Sequence, residues 1–339
     1  MVQNSVKRKL RKVLYVLVAV LFLIICIGGC IFIVNSLTSS STTVADNNKQ
    51  RIAVITKSTT SQFWKSVFSG ANAASTEYNL SITFEGPDNE EDYEKQNEFI
   101  NKAVKDEVDA IVFSAVDYNA NAEAINYAVS QGIKVVVIDS DVNSDKVSCR
   151  ISTDNYLAGK KAGEKVLEST EAAIYVGIVN FDKNSANGQE REQGLRDALE
   201  ENSSITIIDS RNVLSTSEDA KNETEWMLRQ HPQINVIVTF NEWTSLGVGY
   251  AVEEMKLAED TMVIAFDSNI VSVEMLEEGV VDALLVQNPY AMGYLGVESA
   301  YKLINNQTLN DTRIDTSTQL ITRDNMFEEE CQRILFPFD

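Results

Sequence analysis

The chain has one histidine, four prolines and four cysteines among 339 residues. A lone histidine, His231, with no cysteine cluster beside it, excludes the usual zinc ligand sets and a histidine-dependent catalytic triad. Its position, before Pro232 and after a helix-like run, reads as a helix end. Glycine-rich phosphate loops are missing as well: neither Gly-x-Gly-x-x-Gly nor Gly-x-x-x-x-Gly-Lys occurs. Basic residues are outnumbered, 29 Lys and Arg against 50 Asp and Glu, for a formal charge of -21. That balance excludes nucleic acid, whose binding rests on Lys and Arg against phosphates, and otherwise reads as solubility. Nothing in the residue inventory calls for a cofactor or a metal. An enzyme would need an activated nucleophile, a metal cluster or a phosphate loop. The one enzymatic alternative is a glycosidase-like pair formed by Asp139 and Asp267.

What is present begins with an amino-terminal anchor. Residues 1–12 carry five basic side chains, Lys7, Arg8, Lys9, Arg11 and Lys12, and residues 13–34 contain no charge. Twenty-two apolar residues make a helix of about 33 Å, enough to cross a hydrocarbon core. The basic flank stays cytoplasmic, which places the binding domain outside as a single-pass membrane protein. Subtracting +5 from -21 leaves -26 for the remainder. Ile27-Gly28-Gly29-Cys30 is similar to a bacterial lipoprotein cleavage box, but the apolar run continues to Val34. Residues 35–50, rich in Ser, Thr and Asn, read as a flexible linker.

From Arg51 onward, short β-branched runs alternate with amphipathic helical patterns, the signature of βαβ units and parallel sheet. About ten such strands exceed what one parallel sheet carries comfortably, so an α/β architecture of two doubly wound lobes is expected. Five hydrophobic runs end at residues that grasp hydroxyls: Asp117, Asp139, Asn241, Asp267 and Gln287. Ligands of open α/β sheets bind outside the carboxyl ends of the strands. Three acids and two amides there, with almost no basic group among them, suit a neutral polyol rather than a phosphate.

Several motifs occur in one order. They are Ser61-Gln62-Phe63-Trp64, Ile138-Asp139, Ile151-Ser152-Thr153-Asp154-Asn155 with Ala158-Gly159, and Glu190-Arg191-Glu192-Gln193-Gly194. Thr239-Phe240-Asn241-Glu242 with Leu246-Gly247, Ala265-Phe266-Asp267 and Val286-Gln287-Asn288-Pro289 follow. In this order the chain resembles the ribose-binding type of periplasmic sugar-binding protein, over residues 51–325. The resemblance implies the type I periplasmic binding fold, two lobes joined by a three-strand hinge. Crossovers would fall near 139–140, 287–288 and 315–319. Lobe one would then be 51–139 plus 288–315, and lobe two 140–287 plus 316–339.

The same resemblance puts Phe63 and Trp64 against a sugar's C–H face. It puts Asp117, Asp139, Asn241, Asp267 and Gln287 on the hydroxyls. Ser61 stands where ribose binders have Asn, and Gln189 where they have a pocket Arg, with Arg191 two positions on. Loss of that Arg argues against ribose itself and leaves other pentoses, hexoses, inositols or small polyols. A nucleoside or quorum signal is the non-sugar alternative. The family fold would also bring Cys149 and Cys331 together as a disulfide. The apolar carboxyl end reads as an added helix on lobe two, or a docking patch. Partners implied are an ABC-type permease or a membrane sensor kinase, and a permanent span tilts the reading towards sensing.

Overall fold

The computed structural model describes residues 49–200 and 202–336. The anchor at 13–34, its basic flank and Cys30 lie outside these residues. Among the described residues no helix is long and apolar enough to cross a membrane.

Strand and helix alternate as the residue pattern implies. The strands are β1 Arg51–Ile55, β2 Ser81–Glu85, β3 Ala110–Phe113, β4 Lys134–Ile138, β5 Cys149–Ser152, β6 Ile174–Asn180, β7 Ile205–Asn212, β8 Val236–Thr239, β9 Met262–Phe266, β10 Ala283–Val286, β11 Arg313–Asp315 and β12 Gln319–Ile321. The helices are α1 Gln62–Glu77, α2 Tyr93–Lys105, α3 Ala122–Ser130, α4 Asn155–Leu167, α5 Ala186–Leu199, α6 Ser217–Gln230, α7 Glu242–Glu254, α8 Ile270–Glu278, α9 Pro289–Ile304 and α10 Glu329–Leu335. Two six-stranded sheets result, in the orders β11-β5-β4-β3-β1-β2 and β12-β10-β9-β8-β6-β7. Each is parallel except for β12, which runs antiparallel to β10. Strands such as Ala110–Phe113 and Val236–Thr239 are buried along their whole length, as expected where helices cover both faces.

The chain passes between the two sheets after β10 and again between β11 and β12. The first passage differs from the expected one. β5 pairs in parallel with β4, Val136 opposite Cys149, so lobe one extends through Ser152 and the chain crosses at Thr153–Asp154 rather than at 139–140. The sequence carries a strand there, but its choice of sheet is set by pairing with β4 on one side and with β11, Arg313 opposite Arg150, on the other, which local pattern does not encode.

The expected disulfide is overturned for the same reason. Cys149 sits in the core of lobe one with Ile138, Ile151 and Val297, whereas Cys331 sits in the core of lobe two with Val286, Ile321 and Met326. Both are free, buried thiols. The carboxyl-terminal helix α10 does dock on lobe two, through Cys331 and Leu335.

Both lobes use glycine to bring helices into backbone contact. A Cβ on Gly293 of α9 would stand 1.9 Å from the Val67 carbonyl oxygen of α1, and one on Gly70 would stand 2.0 Å from that of Tyr290. Gly159 and Gly194 play the same part between α4 and α5. The α1–α9 contact fixes the start of α1 at the mouth of the cleft. Gly293→Ala is therefore expected to lower stability by at least about 2 kcal/mol, read in urea unfolding, because the obstacle is backbone and cannot step aside.

Candidate functional site

The cleft between the lobes collects the carboxyl ends of both sheets. Its lining includes Lys57, Ser61, Phe63, Trp64, Glu90 and Asp139 from lobe one. Lobe two adds Phe181, Asn187, Arg191, Asn241, Glu242, Trp243 and Asp267, and Gln287 stands at the hinge. Seven of the nine ligand-binding residues expected from the sequence are among them. Asp117 and Gln189 are not. Asp117 accepts from the amides of Asn119 and Ala120, both at 2.8 Å, and so closes a turn. Gln189 is exposed and donates to the Lys183 carbonyl. Ser61 lines the cleft while capping α1, its Oγ accepting from the Trp64 amide at 3.3 Å.

Two aspartates hold matching places. Asp139 follows β4 with φ 55° and Asp267 follows β9 with φ 66°, both in the left-handed region. Asp tolerates that conformation better than most side chains, and its strain at a strand end is characteristic of functional sites. Asp139 accepts from Ser114 Oγ at 2.9 Å and, across the cleft, from Asn187 Nδ2 at 3.1 Å. Asp267 accepts from Gln287 Nε2 at 2.6 Å. Burial raises both carboxyls. Lys57, Arg191 and the Ser114 hydrogen bond partly offset this at Asp139. Asp267 is pushed up to about 7 by its burial, against the pull of Arg191 and Gln287.

The cations are the residues sequence reasoning misjudged. Arg191, 1% exposed, donates from Nε to Asn155 Oδ1 at 2.9 Å, from Nη1 to the Phe240 carbonyl at 2.6 Å and from Nη2 to Gln287 Oε1 at 2.7 Å. Its guanidinium lies 4.8 Å from the Phe266 ring centroid. Burial lowers its pKa, and Asp267 and Asp139 pull it back up. The cleft therefore does hold an arginine, Arg191, and ribose is not disfavoured by the lack of one. Lys57, two residues past β1, donates to Ser185 Oγ at 2.9 Å, lies 3.9 Å from Glu90 Oε2 and sits 4.8 Å from the Phe181 centroid. The cleft is thus not free of basic groups. Four lining carboxyls against two cations still make it a poor anion site.

Glu90 is the other residue that local pattern did not reveal. It accepts from Trp64 Nε1 at 2.7 Å within lobe one and from Ser215 Oγ at 3.0 Å in lobe two. Ser215 in turn accepts from Asn241 Nδ2 at 2.6 Å, while Asn241 Oδ1 caps α7 through the Thr244 amide. Phe63 packs edge-on against Trp64, centroids 4.9 Å apart, giving the cleft an aromatic wall.

Closure itself is built from charged contacts. Glu242, at the start of α7, accepts from the amides of Gln62 and Phe63 at 3.2 and 3.0 Å across the cleft. The first turn of α1 has no acid of its own, so a carboxylate from the opposite lobe meets its positive end. Asn269 Nδ2 holds Glu242 from behind at 3.1 Å.

Two α/β lobes that close over a polar, aromatic-walled cleft define a solute-binding protein, and comparison with known proteins agrees. The chain belongs to the periplasmic binding protein domain family, whose pattern matches residues 52–308. It is 25% identical over 285 residues to a D-ribose/D-allose-binding protein of Pseudomonas aeruginosa, spanning 81% of this chain and 89% of that one. An ABC transporter solute-binding protein of Agrobacterium vitis with bound D-fucose superposes with a TM-score of 0.82 at 29% identity, covering 84% and 100% of the two chains. A chain of the XylFII-LytSN complex superposes with a TM-score of 0.75 at 26% identity, covering 81% and 98%. The first two of these relatives are binding proteins rather than enzymes.

Two predictions rest on this geometry. Asp267 releases its proton near 7 when folded and near 3.8 when unfolded, so between those values the folded state holds the extra proton. The stability this gives is complete below the lower value and is lost as pH rises through the upper one. Asp267→Asn should flatten that part of the stability–pH curve between pH ~4 and ~7 in urea titrations; identical slopes in both proteins would exclude it. Glu242→Ala should weaken ligand binding by about tenfold and shift the free protein towards the open form in small-angle scattering, since two hydrogen bonds to a charged group are lost on closing.

Proposed function

We propose that the chain is an extracytoplasmic receptor that closes on a neutral monosaccharide or similar polyol. The observation that carries this reading is the pairing of Asp139 and Asp267 at equivalent strand ends, around a cleft that also holds Asn241, Gln287 and Arg191. Carboxylates accept from hydroxyls, amides do both, and the guanidinium donates, which together match a ring of hydroxyls. Phe63 and Trp64 supply the apolar face that sugar C–H groups need. The sugars bound by relatives support the same class. Buried hydrogen-bonding groups reject mismatched ligands steeply, so one or a few sugars should be preferred.

The anchor at 13–34 tethers this domain to the outer face of the membrane. Its partner is a permease of the ABC type or a membrane sensor kinase. Capture for transport needs only a lipid anchor, so a permanent span favours sensing. Similarity to a chain of the XylFII-LytSN complex supports partnership with a second protein.

Thermal unfolding of the detergent-solubilised full-length chain against monosaccharides, cyclitols, nucleosides and amino acids tests the reading. One sugar should raise the melting temperature by several degrees at 100 times its Kd, equivalent to about 2.7 kcal/mol, and Asp139→Ala should abolish the shift. A response confined to nucleosides or amino acids would leave the fold and overturn the polyol.

A further inference from the structure

Two charged side chains of the cleft stand apart from the strand-end carboxylates and amides. Lys57 and Glu90 both line the cleft and are 2% and 7% exposed. An ammonium has three N–H groups to place. Among the described residues, Lys57 Nζ makes one hydrogen bond, to Ser185 Oγ at 2.9 Å. Its 3.9 Å separation from Glu90 Oε2 is too long for a second. The Phe181 ring, 4.8 Å away, answers the charge without meeting the remaining N–H groups. The neighbours of the pair fix it in place. Ser185 Oγ donates onward to Asn187 Oδ1 at 2.7 Å, and Asn187 Nδ2 donates to Asp139 at 3.1 Å. Glu90 is held by Trp64 Nε1 on one oxygen and by Ser215 Oγ on the other. A buried ammonium with donors unmet is costly, and native structures pair such groups.

We propose that Lys57 and Glu90 together grip one hydroxyl of the sugar and so determine which sugar the cleft prefers. This rests on the sugar-receptor reading and deepens it. An ammonium only donates and a carboxylate only accepts, so a group between them must accept on one side and donate on the other. A hydroxyl does both. Its oxygen, at ordinary hydrogen-bond distance from each partner, fits across a gap of 3.9 Å. A ligand carboxylate at that place would be repelled by Glu90, and an ammonium by Lys57. The pair thus selects a neutral group in a fixed donor–acceptor order. A sugar that lacks this hydroxyl, or presents it on the other face of the ring, leaves two buried charges without their partner. That is the circumstance in which a site rejects a mismatched ligand most steeply.

The test is calorimetric titration of the detergent-solubilised full-length chain with the preferred monosaccharide and its monodeoxy and deoxyfluoro analogues. At one ring position at least, removing the hydroxyl should weaken binding by about a hundredfold or more. Fluorine at that position accepts only weakly and cannot donate, so it should not restore the affinity. Lys57→Met should bind the parent sugar more weakly, yet bind that one deoxy analogue as well as the parent, with discrimination at the other positions kept. The double variant Lys57→Met/Glu90→Gln removes both charges together and should behave in the same way, which guards against a fold lost to an unpaired carboxylate. If every deoxy analogue binds the unaltered chain within about a hundredfold of the parent, the grip on one hydroxyl is overturned while the sugar reading stands. The same holds if Lys57→Met weakens the parent and every analogue by one common factor, since the lysine is then structural. If no monosaccharide binds at all, both readings fall together.

Discussion

The cleft depends on one buried cation. A guanidinium removed from water carries a desolvation cost of several kcal/mol unless its donors are met and its charge is answered. Arg191 meets that requirement with three hydrogen bonds to the protein, the Phe266 ring face and the fields of Asp267 and Asp139. Those bonds tie the start of α4, the end of β8 and the hinge residue Gln287 to one side chain. Gln287 in turn holds Asp267 and accepts from Thr153 at the first crossover. The arginine thus sets the positions of the Asp267 carboxylate and of two hinge segments together.

Around that node, the lobes meet through polar groups rather than an apolar interface. Glu242 against the amino end of α1, Lys57 with Ser185, and Glu90 with Ser215 all cross the cleft. Each of these groups faces water when the lobes part, so the net gain on closing is the small difference between protein and water hydrogen bonds. That balance is what a receptor requires, because a ligand can shift the equilibrium only by its differential affinity for the two states. The glycine-mediated contacts hold α1 against α9 in lobe one and α4 against α5 in lobe two at backbone distance.

How much of this was readable depended on the range of the interaction involved. Strand ends, helix starts and the order of elements follow from local period and capping. Asp139, Asn241, Asp267 and Gln287 could therefore be named as cleft residues from the runs that precede them. Asp117 has the same local signature, yet it closes a turn, because a carboxylate after a strand serves a nearby amide as readily as a distant ligand. Lys57 and Glu90 gave no signal. A lysine past a strand and a glutamate in an acidic loop look like solvated surface until the opposite lobe covers them.

The sequence by itself determined the α/β alternation, the two-lobe architecture and the class of side chain at the strand ends, because these rest on periodicities of a few residues. The tertiary structure alone decided that β5 joins the first sheet, that Cys149 and Cys331 lie in different cores, and that Arg191 rather than Gln189 enters the cleft. Each of these depends on which face of an element meets partners well separated in sequence, as Arg150 opposite Arg313 or Arg191 against Gln287, 96 residues on. That choice is made by packing and desolvation over the whole chain rather than by any local pattern.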